Sequence, residues 1–216
     1  MRPLFPAWSN SLFRWALGSA VGAVVTIPLL LMAWVRTPYA TGQHELLIQP
    51  IKFDHRHHVR DDGIDCEYCH SGVRRSAYAG IPAASACMGC HSQIWNASPE
   101  LTALRLAYFG GTPLQWTRVN NLPRHVFFNH SINVAKGVGC VTCHGRVDLM
   151  AQVEQQQTLL MQWCLDCHRH PEASLRPLDK VTDMEWTPER PQLEVGRELQ
   201  AKLDVHPTTD CTGCHR

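Results

Sequence analysis

The chain has 216 residues, with 20 Lys and Arg set against 19 Asp and Glu, for a formal net charge of +1. A balance this even excludes the basic surface that a polyanion requires, so nucleic acid is not expected as a partner. All 10 cysteines fall in five Cys-x-x-Cys-His motifs, leaving none for a disulfide, a thiol nucleophile or a lipid anchor. Five motifs in the last 180 residues leave too little chain between them for an ordinary apolar core, which argues against a conventional enzyme built around one active site.

The N-terminal stretch from Trp15 to Val35 carries no charge over 21 residues, long enough as a helix to cross a hydrocarbon layer of roughly 30 Å. Trp15 and Trp34 sit near its ends, where amphipathic rings favour the headgroup level, and Arg14 and Arg36 bracket it. The stretch predicts a membrane anchor rather than a cleaved signal peptide, whose apolar region is shorter. Arg2 and Arg14 precede it and no acid occurs before Glu45, which favours a cytoplasmic N-terminus. Gly18 and Gly22 form a small-xxx-small pair that would admit a neighbouring helix, and Pro28 would kink this one.

The five motifs are Cys66-Glu-Tyr-Cys69-His70, Cys87-Met-Gly-Cys90-His91, Cys140-Val-Thr-Cys143-His144, Cys164-Leu-Asp-Cys167-His168 and Cys211-Thr-Gly-Cys214-His215. Two thiols at this spacing add to the two vinyl groups of a haem, and the adjoining histidine reaches the iron from the proximal side. Zinc also uses Cys-x-x-Cys, but it matches pairs in fours and gives no reason for a histidine after every pair. The spacing therefore predicts five covalent c-type haems, with proximal ligands His70, His91, His144, His168 and His215. Five large macrocycles would stand in for the missing core. Since haem attachment of this kind takes place outside the cytoplasmic membrane, the part after the anchor is expected to be periplasmic.

Motif starts are separated by 21, 53, 24 and 47 residues, alternating short and long. Aligning the short pairs exposes a repeat: Phe53-Asp-His55-x-x-His58 ahead of Gly63-Ile-Asp-Cys66, and Phe128-Asn-His130-x-x-Asn133 ahead of Gly137-Val-Gly-Cys140. The chain reads as an anchor over 1–36 and a haem domain over 37–216. The latter divides into di-haem units near 50–95 and 125–170 and a single haem unit near 200–216. His-x-x-His on one helical turn can serve two different irons, so His55, His58 and His130 are the leading distal ligands. His57, His44 and His170 read as surface residues, while His125 and His206 stay open as alternatives. Asn133 replaces the histidine that the repeat predicts, so one haem takes its sixth ligand elsewhere or lacks one. Residues 147–163 read as a helix leading into Cys164, and thioethers from Met161, then Met150, are the expected substitutes.

Ser98-Pro99-Glu100 opens a further helix that Gly110 ends. Prolines between Pro171 and Pro191 mark an extended connection to a final helix near Leu193–Leu203. No strand pattern emerges. The fold class is that of a multihaem cytochrome c, mainly α and irregular, haem-packed, with one N-terminal transmembrane helix.

Pro38-Tyr39-Ala-Thr-Gly42-Gln43-His44, Gln49-Pro50-Ile51-Lys-Phe53-Asp-His55, Gly63-Ile64-Asp65-Cys66, Phe127-Phe128-Asn129-His130-Ser131 and Met161-Gln-Trp163-Cys164, taken with the anchor, carry a resemblance. The chain resembles the membrane-anchored pentahaem cytochrome c subunit of bacterial alternative complex III over nearly its whole length. The resemblance implies an electron-transfer subunit, without a substrate site of its own, in a complex that oxidises quinol and passes electrons toward a periplasmic acceptor. It implies partners too: membrane-embedded quinol-binding subunits, an iron–sulfur subunit and a monohaem cytochrome c. That family carries a second histidine where this sequence has Asn133. The competing expectations are a stand-alone membrane-anchored quinol dehydrogenase feeding a periplasmic reductase, and a periplasmic multihaem reductase. Against the latter, every motif ends in histidine and no acid cluster stands out.

Overall fold

A computed structural model describes residues 5–215. It divides into two compact units, residues 1–42 and 43–216. The first contains α1 (Ser9–Trp34), a 26-residue helix with no buried residue and long and apolar enough to cross a membrane. It starts six residues before the expected Trp15, because Ser9 Oγ and Ser9 N both bond the Pro6 carbonyl and begin the first turn there. Pro28 lies inside it. Thr26 Oγ1 donates to Gly22 O at 2.8 Å, a back-bond common where a helix accommodates a bend. Arg2, which enters the charge argument for orientation, lies outside the described residues. A single turn, α2 (Pro38–Thr41), follows, with Thr37 as its N-cap.

The second unit is built from short helices separated by irregular chain. A π-helix, Arg56–Asp61, precedes α3 (Cys66–Cys69) and α4 (Ala84–His91). A 3₁₀ turn at Pro99–Leu101, capped by Ser98, runs into α5 (Thr102–Gly110), as the Ser-Pro-Glu signal predicts. Then come α6 (His130–Ala135), α7 (Cys140–His144), α8 (Met161–Arg169), α9 (Gln192–Lys202) and α10 (Cys211–Cys214). The described residues hold no strand, only three isolated bridges: Gln43 with Gln155, Val126 with His215, and Val138 with Leu175.

One expected element is absent. Residues 147–163 form no continuous helix; a 3₁₀ turn at Val147–Leu149 gives way to irregular chain until α8 begins at Met161. The glutamines between explain the difference. Gln152 donates to the Leu47 carbonyl, Gln157 Nε2 to Thr142 O at 3.2 Å, and Leu159 adopts a left-handed φ of 54° that breaks any helix. Side-chain amides tie this segment to the neighbouring chain, and that tie outweighs a weak apolar periodicity.

The apolar core is small. Eight apolar residues are buried among those described, and six of them form two clusters: Val73, Val134 and Val181, and Met88, Leu101 and Leu104. Cys140 packs against the first and Cys87 against the second, so both clusters abut a Cys-x-x-Cys-His motif. A compact chain of 24.4 kDa exposes about 10,000 Å², whereas this one exposes 15,252 Å².

Where chain does meet chain, the fit is tight. α9 packs on the Pro171–Ala173 turn with Gly196 against the Glu172 backbone, and a Cβ at Gly196 would overlap the Glu172 carbonyl. Gly196→Ala should therefore destabilise the haem-loaded protein by about 1–3 kcal/mol, the usual range for overpacking. Thermal unfolding followed by circular dichroism checks this; an unchanged midpoint would show that α9 yields without cost.

Candidate haem-binding centres

Each Cys-x-x-Cys-His motif forms or ends a turn of helix, in α3, α4, α7, α8 and α10. A helical turn brings residues three apart to one face, so both thiols of a pair project together and the histidine follows immediately. Asp65 sets the start of α3 by accepting from Glu67 N at 2.8 Å.

Four of the five imidazoles of these motifs share one mode of fixation. Nδ1 of His70 bonds Gly80 O at 2.7 Å, that of His91 bonds Ile94 O at 3.1 Å, that of His168 bonds Thr208 O at 2.7 Å and that of His215 bonds His125 O at 3.2 Å. His144 Nδ1 lies 3.2 Å from the Asn120 side-chain amide. A proton held on Nδ1 by a carbonyl leaves the Nε2 lone pair free, which is the state a metal-ligating histidine requires. Two candidate distal residues do likewise: His58 Nδ1 bonds Asp54 O at 2.9 Å, and His130 Nδ1 bonds Ala77 O at 2.8 Å.

The repeat read from sequence is a repeat in space. Phe53 and His55 meet edge-on with centroids 4.7 Å apart and planes at 85°, and Phe128 and His130 have the same 4.7 Å and 85°. Gly63 and Gly137, which open the turns into the first and third motifs, have φ of 67° and 83°, a region open to glycine at no steric cost. The units differ by one residue: His58 lies eight positions before Cys66, Asn133 seven before Cys140. The π-helix Arg56–Asp61 in the first unit, against α-helix in the second, absorbs that extra residue.

Imidazoles face one another across the motifs. His58 and His91 have centroids 6.1 Å apart, His130 and His144 6.4 Å, and His125 and His215 5.5 Å. A metal–nitrogen bond of about 2 Å on each side sets two centroids roughly 6 Å apart across one iron. His55 is mostly buried, its Nδ1 is the one buried side-chain nitrogen or oxygen among the described residues with no hydrogen-bond partner, and burial followed by the charges of His70 and His58 brings its pKa down to about 4. Burial, then His130 and His70, brings His144 down to about 4 as well, so both rings are neutral as ligation demands.

The other candidates fall elsewhere. His206 is 80% exposed with Nε2 on the Asp204 carboxylate at 2.9 Å. His57, His44 and His170 are exposed and each lies beside an acid: Asp61, Glu154 and Glu172 respectively. Met161 is 64% exposed in the first turn of α8, and Met150 is half-buried just after the Val147–Leu149 turn. The pairing of His125 with His215 was open in the sequence. Ninety residues separate the two, and the contact arises from the bridge between Val126 and His215 together with Phe127 N bonding Cys214 O at 2.8 Å.

Burial raises several of the thiols: Cys87 and Cys164 are pushed up by it, Cys143 is pushed up to about 12, and Cys66 is raised by its hydrogen bond with Cys140 and then by burial. The first and third motifs meet on one stretch of chain, where Cys140 N bonds Val181 O at 3.0 Å and Cys66 Sγ lies 3.9 Å from Thr182 O. No group of three or more His, Cys, Asp or Glu among the described residues is assembled to hold a bare metal ion, so the donor set does not suit a zinc site. It suits haem: paired thiols, a histidine after each pair, facing imidazoles at iron-bridging separation beside three motifs, and exposed large apolar side chains.

Residues 126–216, which include three of the five motifs, match the family described as cytochrome c7 and related cytochrome c. Fold and motifs are cytochrome c7-like, of the multihaem kind, mostly helical and irregular. The chain is also similar to the multihaem cytochrome c subunit of a menaquinone reductase from Nitratidesulfovibrio vulgaris, with 35% identity over 97 residues, 44% of this chain. The matched stretch spans 45% of that relative, a little under half its length.

The two open histidines are separable by experiment. His125→Ala should leave the haem content unchanged while converting one haem from low to high spin in electron paramagnetic resonance. His206→Ala should leave the spectrum as in the wild type. The reverse pattern would make His206 the ligand.

Proposed function

We propose that this chain is a membrane-anchored electron-transfer subunit carrying five c-type haems, in a quinol-oxidising complex of the alternative complex III type. When bound, the haems supply one-electron redox chemistry at iron. The carrying observation is the facing of imidazoles at iron-bridging separation beside three of the motifs: His58 with His91, His130 with His144 and His125 with His215.

The residues have distinct tasks. The ten motif cysteines hold the macrocycles, and His70, His91, His144, His168 and His215 ligate from the proximal side. His55, His58, His130 and His125 ligate opposite His70, His91, His144 and His215 respectively. The carbonyls of Gly80, Ile94, Thr208, His125, Asp54 and Ala77 orient these rings and keep Nε2 available. α1 crosses the cytoplasmic membrane with its N-terminus inside, which places the haem domain in the periplasm. The partners on this reading are quinol-binding membrane subunits, an iron–sulfur subunit, a monohaem cytochrome c and the lipid bilayer itself.

A second direction of flow has one observation in its favour: the relative from Nitratidesulfovibrio vulgaris is named as part of a menaquinone reductase. The same centres would then deliver electrons to quinone.

Purification from membranes in mild detergent tests the reading. The chain should co-purify with multi-helix membrane subunits, and the intact assembly should show haem reduction on addition of a quinol. Haem oxidation by added quinone, with no reduction by quinol at matched potential, would favour the reverse direction. A chain that purifies alone and is reduced by quinol unaided would instead identify a stand-alone dehydrogenase.

A further inference from the structure

Three of the five motif histidines, His91, His144 and His215, each face an imidazole at 5.5 to 6.4 Å; His70 and His168 do not, and the ligation proposed above assigns His55 to His70. His168 has no imidazole in ring contact among the described residues; its Nδ1 is tied to Thr208 O, ready for a metal on Nε2.

The repeat says which residue should stand opposite it. In the first di-haem unit the second histidine, His58, goes with the second motif, facing His91 at 6.1 Å, which leaves the leading histidine, His55, to the first motif. In the second unit His130 likewise goes with the leading motif, facing His144 at 6.4 Å. The residue three positions on is Asn133, and the motif still to be served is Cys164–His168. Asn133 is held as its counterpart is. His58 Nδ1 bonds the carbonyl four residues back, Asp54 O, at 2.9 Å; Asn133 Nδ2 bonds the carbonyl four residues back, Asn129 O, at 2.8 Å. The amide thus reproduces the orienting hydrogen bond of the histidine but has no second ring nitrogen to offer, and its remaining oxygen is a hard donor poorly suited to haem iron.

No other side chain takes over. His44, His170 and His206 are exposed beside acids. Met161 belongs to α8, the helix that carries Cys164, Cys167 and His168, and a sixth ligand must come from the opposite face of the macrocycle. Met150 follows the Val147–Leu149 turn, whose buried Asp148 is clamped by Arg146 at 2.6 Å, so the turn is fixed rather than free to swing.

We propose that the haem iron held by His168 keeps an exchangeable sixth position beside Asn133, open to a small neutral diatomic ligand. This rests on the five-haem reading above. It makes the fourth centre a ligand-binding site rather than a purely electron-transferring one.

The test uses the full-length protein in detergent, reduced with dithionite and titrated with carbon monoxide, with haem counted per chain by the pyridine haemochrome method. One carbon monoxide per five haems is expected. Asn133→His should keep five haems and bind none, and His58→Asn should bind two. Five haems without carbon monoxide binding in the wild type would overturn the inference alone. So would Asn133→His protein that still binds one, or a sulfur-to-iron absorbance band lost in Met150→Ala or Met161→Ala. A haem count below five would defeat the five-haem reading, and this inference with it.

Discussion

The constraint on which the rest depends is the scarcity of side chains available to bury one another. Two clusters of three residues make up most of the buried apolar core among the described residues. A chain of this length with so little burial would not offset its conformational entropy unaided. Haem held as proposed would resolve this in two ways: each macrocycle would bring a large apolar surface, and each pair of thioether links would close a loop that restricts the unfolded chain. The same economy appears in small domains that rely on disulfides or metals. The short helices follow from it. They need only bring two cysteines to one face and point a histidine, and in α3, α7 and α10 four or five residues suffice.

From that constraint the functional geometry follows. The two halves of the sequence repeat meet in space. Val181 and Thr182 lie between the first and third motifs, with Cys140 N bonding Val181 O at 3.0 Å and Cys66 Sγ 3.9 Å from Thr182 O. Ala77, in the first half of the repeat, supplies the carbonyl that His130 Nδ1 of the second half bonds at 2.8 Å, so the two halves are interlocked.

Much of this was legible in the sequence because its carriers are local. Cys-x-x-Cys-His, His-x-x-His and the phenylalanine before each leading histidine are short patterns whose geometry is set within one turn, and the Phe–His contacts recur with the same distance and angle. Asn133 was visible for the same reason. What the sequence hid was long-range. The facing of His125 and His215 depends on an isolated bridge between distant segments. The expected helix over 147–163 failed because glutamine amides find backbone partners outside their own segment, which no periodicity reveals. The membrane-length helix α1 stands apart from all this: its composition alone defines it, and its exposed apolar surface has no counterpart in the described residues of its own unit.

The central claim is that all five motifs carry covalent haem, and intact-mass spectrometry of the denatured full-length chain tests it most directly. The account predicts a single species heavier than the polypeptide by five haems, each removed by replacing one motif's two cysteines. A mass short of five haems in fully matured protein, or one explained by non-covalent metal, would contradict it.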